Sequence, residues 1–360
     1  MKGGGERVFD QPTTIIVGAG ASLDFGLPSG PALWETVCRK IVGAYDGILE
    51  QQRGYFSPAD ALRLVAQSSL SASALVRSLH PDSANAVVQL RELAETVSKS
   101  DVYYSVDDFL LDNPSMTESI KAVVTAHLAG TLYTKAHRRW IRKPELIDKL
   151  HNSSGTTVLN WIRMFVGLCR SFLRRNSVRS KVVIVNFNYD RLMETVMRVL
   201  WERSEASFPE FDKCFSFVYP HGAFSDLPEE IDDPERWVLK QASSIGFAGG
   251  EANHPGLVAR KALDDSRTIF MIGFSCSAAN ASLLGLTRAQ APRIYYQNFE
   301  HRDVRLSRVM ANLGAPVHSA DPRGCADLIG NGFFDQIGRE ASEPRIRAVA
   351  KSKVRSTRAG

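Results

Sequence analysis

Apolar runs recur along this chain, and each stops abruptly at glycines, small polar residues or a histidine. Thr14-Ile15-Ile16-Val17 runs into Gly18-Ala19-Gly20-Ala21-Ser22, and Lys181-Val182-Val183-Ile184-Val185 into Asn186-Phe187-Asn188-Tyr189-Asp190. Residues 215–219 run into Pro220-His221-Gly222, residues 267–272 into Gly273-Phe274-Ser275-Cys276-Ser277, and residues 293–296 into Gln297-Asn298. Short, β-branched, continuously apolar runs predict the strands of a parallel sheet covered on both faces. A short sixth strand is expected at Val317-His318, after the turn Gly314-Ala315-Pro316.

Between the first two runs the pattern is helical. Helices are predicted over residues 32–49, from the cap Ser57-Pro58 to residue 79, and over 83–98, 117–139 and 156–174, with a short helical turn at 105–111. Proline in the first helical position loses no hydrogen bond, and the serine before it supplies an acceptor for the free N–H groups. Leu159, Ile162, Phe165, Val166 and Cys169 fall on one stripe. Further helices are expected from Arg191, over 255–263, from Ala278 and over 325–339. The chain therefore reads as an α/β protein: a Rossmann-like parallel sheet built from residues 10–30 and 176–340, with a large helical insertion (31–175) after the first strand and a C-terminal tail (341–360).

In an open parallel sheet the carboxyl ends of the strands converge on one crevice, so the residues that end the apolar runs are the candidate site. Gly18 suits a tight turn, Gly20 lets a diphosphate approach the backbone, and the N–H groups that follow would face it from a helix N-terminus. Leu23 stands where a third glycine would complete G-x-G-x-x-G, and no Gly-Lys-Ser/Thr is present, which disfavours a triphosphate P-loop. A strand–turn–helix whose glycines serve only the turn is the alternative. If the extended geometry continues, Asn186, Asn188 and Asp190 line one side of their strand end, with Phe187 and Tyr189 on the other. His221 follows a strand and precedes a glycine, which offers a titratable group at the same edge; a capping or core histidine is the competing reading.

Composition changes this picture little. A chain of 360 residues with 44% hydrophobic content can bury a large core. The five cysteines are scattered with no C-x-x-C pair, which supports neither a zinc site nor a disulfide framework. The acid-rich stretch 226–235 has no interleaved histidine, so no metal is expected. The net charge of +5 equals that of the tail, where Arg345, Arg347, Lys351, Lys353, Arg355 and Arg358 oppose only Glu343. Direct nucleic-acid binding is therefore not expected outside the tail. With no apolar signal segment and no run of membrane-spanning length, a soluble cytoplasmic protein is expected.

Taken together, the strand-end motifs resemble the sirtuin-like family, and within it the bacterial antiviral-defence branch. Gly18, Ala19, Gly20, Ser22, Gly26, Leu27 and Pro28 match that family's Gly-Ala-Gly-x-Ser and Gly-Leu/Ile-Pro elements. Asn188-Tyr189-Asp190 resembles its Asn-Ile-Asp motif in the Asn-Tyr-Asp form of the defence branch, and His221-Gly222 its catalytic His-Gly. Gly273-Phe274-Ser275 is similar to the element on the adenosine side, Asn298 to a ribose-binding asparagine, and Val106-Asp107-Asp108-Phe109-Leu110 to a segment in the helical part of defence proteins. The resemblance spans residues 10–335 as motifs in matching order. The zinc module of sirtuin deacylases, with its paired cysteines, is missing, and the helical insertion occupies a different place.

What the resemblance implies is an NAD+ glycohydrolase that releases nicotinamide and ADP-ribose, with NAD+ as substrate and no metal. Asn188, His221 and Asp190 would be its catalytic residues. Gly18, Ala19, Gly20, Ala21, Ser22, Leu27, Pro28, Asn188, Asp190, Gly273, Ser275 and Asn298 would bind the dinucleotide. It also implies a homo-oligomer that depletes NAD+ in antiphage defence, under a separate activator such as a ring ATPase or an Argonaute-type protein. The rival expectations are an NAD-dependent deacylase or ADP-ribosyl transferase using the same pocket, and a scaffold subunit that binds NAD+ or ADP-ribose without turnover.

Overall fold

A computed structural model describes residues 11–25, 27–100, 103, 105–132, 161–173, 178–202, 208–225, 233–246, 254–285, 293–297 and 319–321. Six strands, β1 (Thr13–Val17), β2 (Val182–Asn186), β3 (Phe215–Val218), β4 (Thr268–Ile272), β5 (Arg293–Gln297) and β6 (Ser319–Asp321), form one sheet in the order β3-β2-β1-β4-β5-β6. Every pairing is parallel. The order turns back at β1, which pairs with β2 on one side and β4 on the other. A crevice opens at such a reversal, outside the carboxyl ends of the two strands that flank it.

All five residues of β1 are buried, as a strand covered on both faces requires. Alternation sends Ile15 and Val17 into one core and Ile16 into another. The Ile16 core is closed by Val185, Met271 and Tyr296 from the sheet and by Ala259, Leu263, Ala281 and Leu284 from the helices His254–Asp264 and Ala278–Leu284. The larger core joins Ile184, Phe270 and Ile272 to Trp34, Phe109, Trp161 and Phe165, side chains from helices that precede β2.

Among the described residues those helices are α1 (Gly30–Arg53), α2 (Pro58–Ser68), α3 (Leu70–Ser78), α4 (Ser83–Ser98), α5 (Val106–Asp112), α6 (Thr117–Leu132) and α7 (Trp161–Leu173). Their starts follow side-chain chemistry. Ser29, Ser57, Ser69, Asp82 and Ser105 each accept a backbone N–H from the first turn that follows. α8 (Leu192–Glu202) and α9 (Phe211–Cys214) lie between β2 and β3, α10 (Pro234–Ser244) and α11 (His254–Asp264) between β3 and β4, and α12 (Ala278–Leu284) after β4.

Three expectations change. The helix expected from Ser57 to residue 79 is two helices, because Ser69 takes an extended conformation and caps the second through Ala72 N–H. A seven-residue 3-10 helix, Ala19–Phe25, follows β1, and α1 (Gly30–Arg53) outruns the helix expected over 32–49 at both ends. The sixth strand lies at Ser319–Asp321; Val317-His318 and the helix expected over 325–339 fall outside the described residues, as does most of the acid-rich stretch.

Candidate functional site at the sheet reversal

The glycine turn after β1 and the turn after β4 interlock through their backbones. Gly18 N–H donates to Ile272 O at 3.0 Å and Gly20 N–H to Gly273 O at 3.0 Å, while Ala21 N–H closes back on Gly18 O at 3.0 Å. A Cβ on Gly18 would stand 2.6 Å from Gly273 O, and one on Gly20 would stand 2.9 Å from Gly273 Cα. Gly273 itself has φ +58, and a Cβ there would run into Ala21 N. The close approach that Gly20 makes here is to Gly273. The N–H groups of Gly20 and Ala21, expected as phosphate donors, are engaged inside the protein.

Trp161, the first residue of α7 and 1% exposed, donates its indole N–H to Ala21 O at 2.8 Å. A buried carbonyl without that partner would cost about 1–3 kcal/mol. Leu27 is buried in the larger core and Pro28 is half-buried. Gly26 lies outside the described residues.

The end of β2 folds over rather than running on. The strand stops at Asn186, whose Oδ1 accepts Asn188 N–H at 3.0 Å, so the expected alternation of Asn186, Asn188 and Asp190 along one side gives way to a turn. Asn188 is 6% exposed, and its amide donates to Ser22 Oγ at 2.9 Å and Gly18 O at 3.2 Å. Two of the residues singled out in the glycine turn are thereby tied to the Asn-Tyr-Asp motif. Asn186 Nδ2 is fully buried and has no hydrogen-bond partner. Asp190 accepts Leu192 N–H at 3.0 Å and so holds the start of α8, and burial pushes its carboxyl up from 3.8 to about 6 despite that bond.

His221 is 3% exposed and engaged at both ring nitrogens. Nδ1 lies 3.4 Å from Asp107 Oδ1, and Nε2 lies 3.0 Å from Asn280 Oδ1. The ring packs against Phe187 at 5.1 Å and Tyr189 at 6.3 Å between centroids, the two chain neighbours of Asn188. Its backbone is also fixed, since Gly246 N–H donates to His221 O at 2.6 Å and Gly222 has φ +73. Beyond β4, Ser275 is exposed, and Cys276 is buried at φ 51 with its thiol pushed up to about 12 by burial.

The fold therefore brings Gly18, Gly20, Ser22, Asn188, His221 and Gly273 to one edge. Asn298 lies outside the described residues. Asp107, Trp161 and Asn280 are additions. The adjacent acids of Val106-Asp107-Asp108 and the asparagine at the start of α12 were visible signals; nothing in the pattern pointed to Trp161.

The chain matches no protein-family model, and no curated protein is significantly similar to it in sequence. The site must be read from its own chemistry. It offers an anchored carboxamide, an imidazole held between a carboxylate and an amide, and small hydroxyls. Ser22 Oγ is bonded by Asn188 rather than by His221, so the site contains no serine–histidine nucleophile pair there. Among the described residues no group of His, Cys, Asp or Glu could hold a metal ion, and no helix is long and apolar enough to cross a membrane.

Proposed function

We propose that the chain is an NAD+ glycohydrolase of sirtuin-like architecture. The observation that carries this reading is Asn188 tied to the glycine turn while His221 packs on its chain neighbours Phe187 and Tyr189, in a parallel sheet whose strand order is that of dinucleotide-binding folds. The bond to nicotinamide breaks with its electron pair moving to the pyridinium nitrogen, which leaves as neutral nicotinamide. Water supplies hydroxide to C1′ of the ribose and one proton is released. Asn188 orients the ribose hydroxyls and the water, and His221 Nε2 takes the proton, directly or through a ribose hydroxyl, before passing it to solvent. No acid is needed to protonate this leaving group.

Asp190 shapes the site by holding the start of α8. The hydroxyl of Ser22 accepts from Asn188 and keeps its own proton for donation, so Ser22 and the exposed Ser275 are better placed as dinucleotide contacts than the Gly20 and Ala21 N–H groups. Ala19, Leu27, Pro28 and Gly273 form the walls. The orphaned Asn186 amide is a donor that a bound oxygen would satisfy. In the same reading the protein acts in the cytoplasm as an oligomeric, NAD+-depleting effector of antiphage defence, released by an activator such as a ring ATPase or an Argonaute-type protein.

Incubation of the purified chain with NAD+, with nicotinamide and ADP-ribose followed over time, tests the proposal. Asn188→Ala and His221→Ala should each abolish release while the chain still folds; unchanged turnover in either variant removes its assigned role. Transfer to an acyl-lysine peptide or to protein side chains would instead make it a deacylase or a transferase. One observation favours a second reading, a subunit that binds NAD+ without turnover: both ring nitrogens of His221 are engaged by the protein. Tight binding with NAD+ intact, alone and with neighbouring-gene products, would decide for it.

A further inference from the structure

We infer that Asp107 is a positioning residue for His221, fixing from the helical region which ring nitrogen carries the proton. The inference rests on the reading of His221 as the base. His221 and Asp107 lie far apart in the chain, on the turn after β3 and on α5, yet Nδ1 and Oδ1 are 3.4 Å apart, with the two side chains 2% and 17% exposed. That separation exceeds a strong charge-assisted hydrogen bond, so the carboxylate orients the ring without holding its proton tightly. Such contacts shorten when substrate closes a site.

The carboxylate is itself fixed. Ser105 Oγ accepts Asp108 N–H at 3.2 Å and starts α5, whose Val106, Phe109 and Leu110 are buried. Phe109 lies 4.5 Å from the ring of Trp34 in α1 and 5.4 Å edge-on from Tyr103. Asp107 thus stands where core packing puts it. Its charge also reaches Tyr189, whose hydroxyl is raised well above its ordinary range, first by burial and then by Asp107.

A carboxylate can only accept. Beside Nδ1 it therefore favours, of the two neutral tautomers, the one with the proton on Nδ1, which leaves the Nε2 lone pair for a proton from substrate or water. Asn280 Oδ1 stands 3.0 Å from Nε2; with the proton on Nδ1 the carboxamide turns over so that its NH2 faces Nε2, while the Asn280 backbone is tied by its N–H to Ser277 Oγ at 3.2 Å. Asn280 is then the group that a substrate hydroxyl replaces. An asparagine at 107 could donate to Nδ1 and so stabilise the opposite tautomer.

The test compares Asp107→Asn, Asp107→Glu and, as a carboxylate removed from the same helix, Asp112→Asn in the full chain. Imidazole ¹⁵N shifts of histidine-labelled protein report the His221 tautomer, its signals assigned by their loss in His221→Gln. Expected is a move of the His221 proton from Nδ1 toward Nε2 in Asp107→Asn, with kcat reduced about 100-fold and KM changed by less than about threefold. Asp107→Glu should restore the wild-type tautomer and part of the rate, and Asp112→Asn should leave both unchanged. An Asp107→Asn protein with the wild-type ¹⁵N pattern and a kcat within about twofold of wild type overturns the inference. If Asp107→Asn does not fold, Asp107→Ala decides: a redistributed tautomer supports the role and a wild-type one overturns it. If even the wild-type chain leaves NAD+ intact, the glycohydrolase reading falls, while the ¹⁵N shifts still decide the positioning role.

Discussion

At the carboxyl ends of β1 and β4 the chain is held chiefly by backbone against backbone, whereas at the ends of β2 and β3 buried polar side chains join backbone bonds such as Phe224 N–H to Tyr189 O. In the first pair Gly18, Gly20 and Gly273 leave no room for a Cβ, and their N–H and C=O groups bond across the reversal. In the second pair Asn186, Asn188, Asp190 and His221 are all nearly or fully buried polar side chains. Buried polar groups are costly unless partnered, and here the partnering is uneven: Asn188 and His221 are satisfied, the Asn186 amide nitrogen is not, and Asp190 is burdened by its own charge. One side of the crevice is a fixed wall. The other holds groups that, in the proposed function, trade their hydrogen bonds for those of a ligand.

The sharpest way to break that contrast is Gly273→Ala. The residue sits at φ +58 with the Ala21 nitrogen inside the space of a Cβ, so strain and overpacking add to a loss of about 3 kcal/mol or more. Chemical denaturation should show it directly, and a variant as stable as wild type would mean that the turns are not interlocked.

A smaller effect is expected on the side-chain half. The Asp190 carboxyl is raised from 3.8 to about 6 by burial, so between those values the folded chain binds a proton that the unfolded chain has released. Stability contributed by the neutral acid is therefore lost as pH rises through that window. Asp190→Asn keeps an oxygen for Leu192 N–H and removes the charge. The stability difference, variant minus wild type, should grow by about 1–3 kcal/mol between roughly pH 4 and pH 7. A flat difference would show that Asp190 is not burdened.

Trp161→Phe gives the mildest of the three. It keeps an aromatic ring in the core and removes only the indole N–H to Ala21 O, at an expected cost of about 1–2 kcal/mol in the same denaturation assay. It sharpens the contrast by testing the side-chain bond that braces the backbone-built wall.

Much of this contrast could be read from one dimension. The strands beginning at Thr13, Val182, Phe215, Thr268 and Arg293 each coincide with an apolar run, because a parallel strand buried on both faces has nothing polar to hide. The expected sixth strand, Val317-His318, lies ahead of Ser319–Asp321 because the three residues SAD carry no such run; pairing with β5 makes them a strand. The break at Ser69 escaped notice because a serine inside an otherwise helical stretch reads as tolerated until its side chain is seen capping Ala72.

The site divides in the same way. Gly18, Ser22, Asn188, His221 and Gly273 were legible as the residues on which apolar runs end. That Gly20 makes room for Gly273 was not legible, since a glycine's partner is set by a positive φ and a contact across the sheet rather than by local pattern. Nor was the pairing of His221 with Asp107 and Asn280, which depends on how α5 and α12 arrive at the same ring.

Among the described residues the two outermost strands, β3 and β6, span four and three residues. A strand from another molecule zipping onto either border would find only a few free peptide groups to match, too little to hold two copies in register. A sheet continued from one molecule to the next gains little from borders this short.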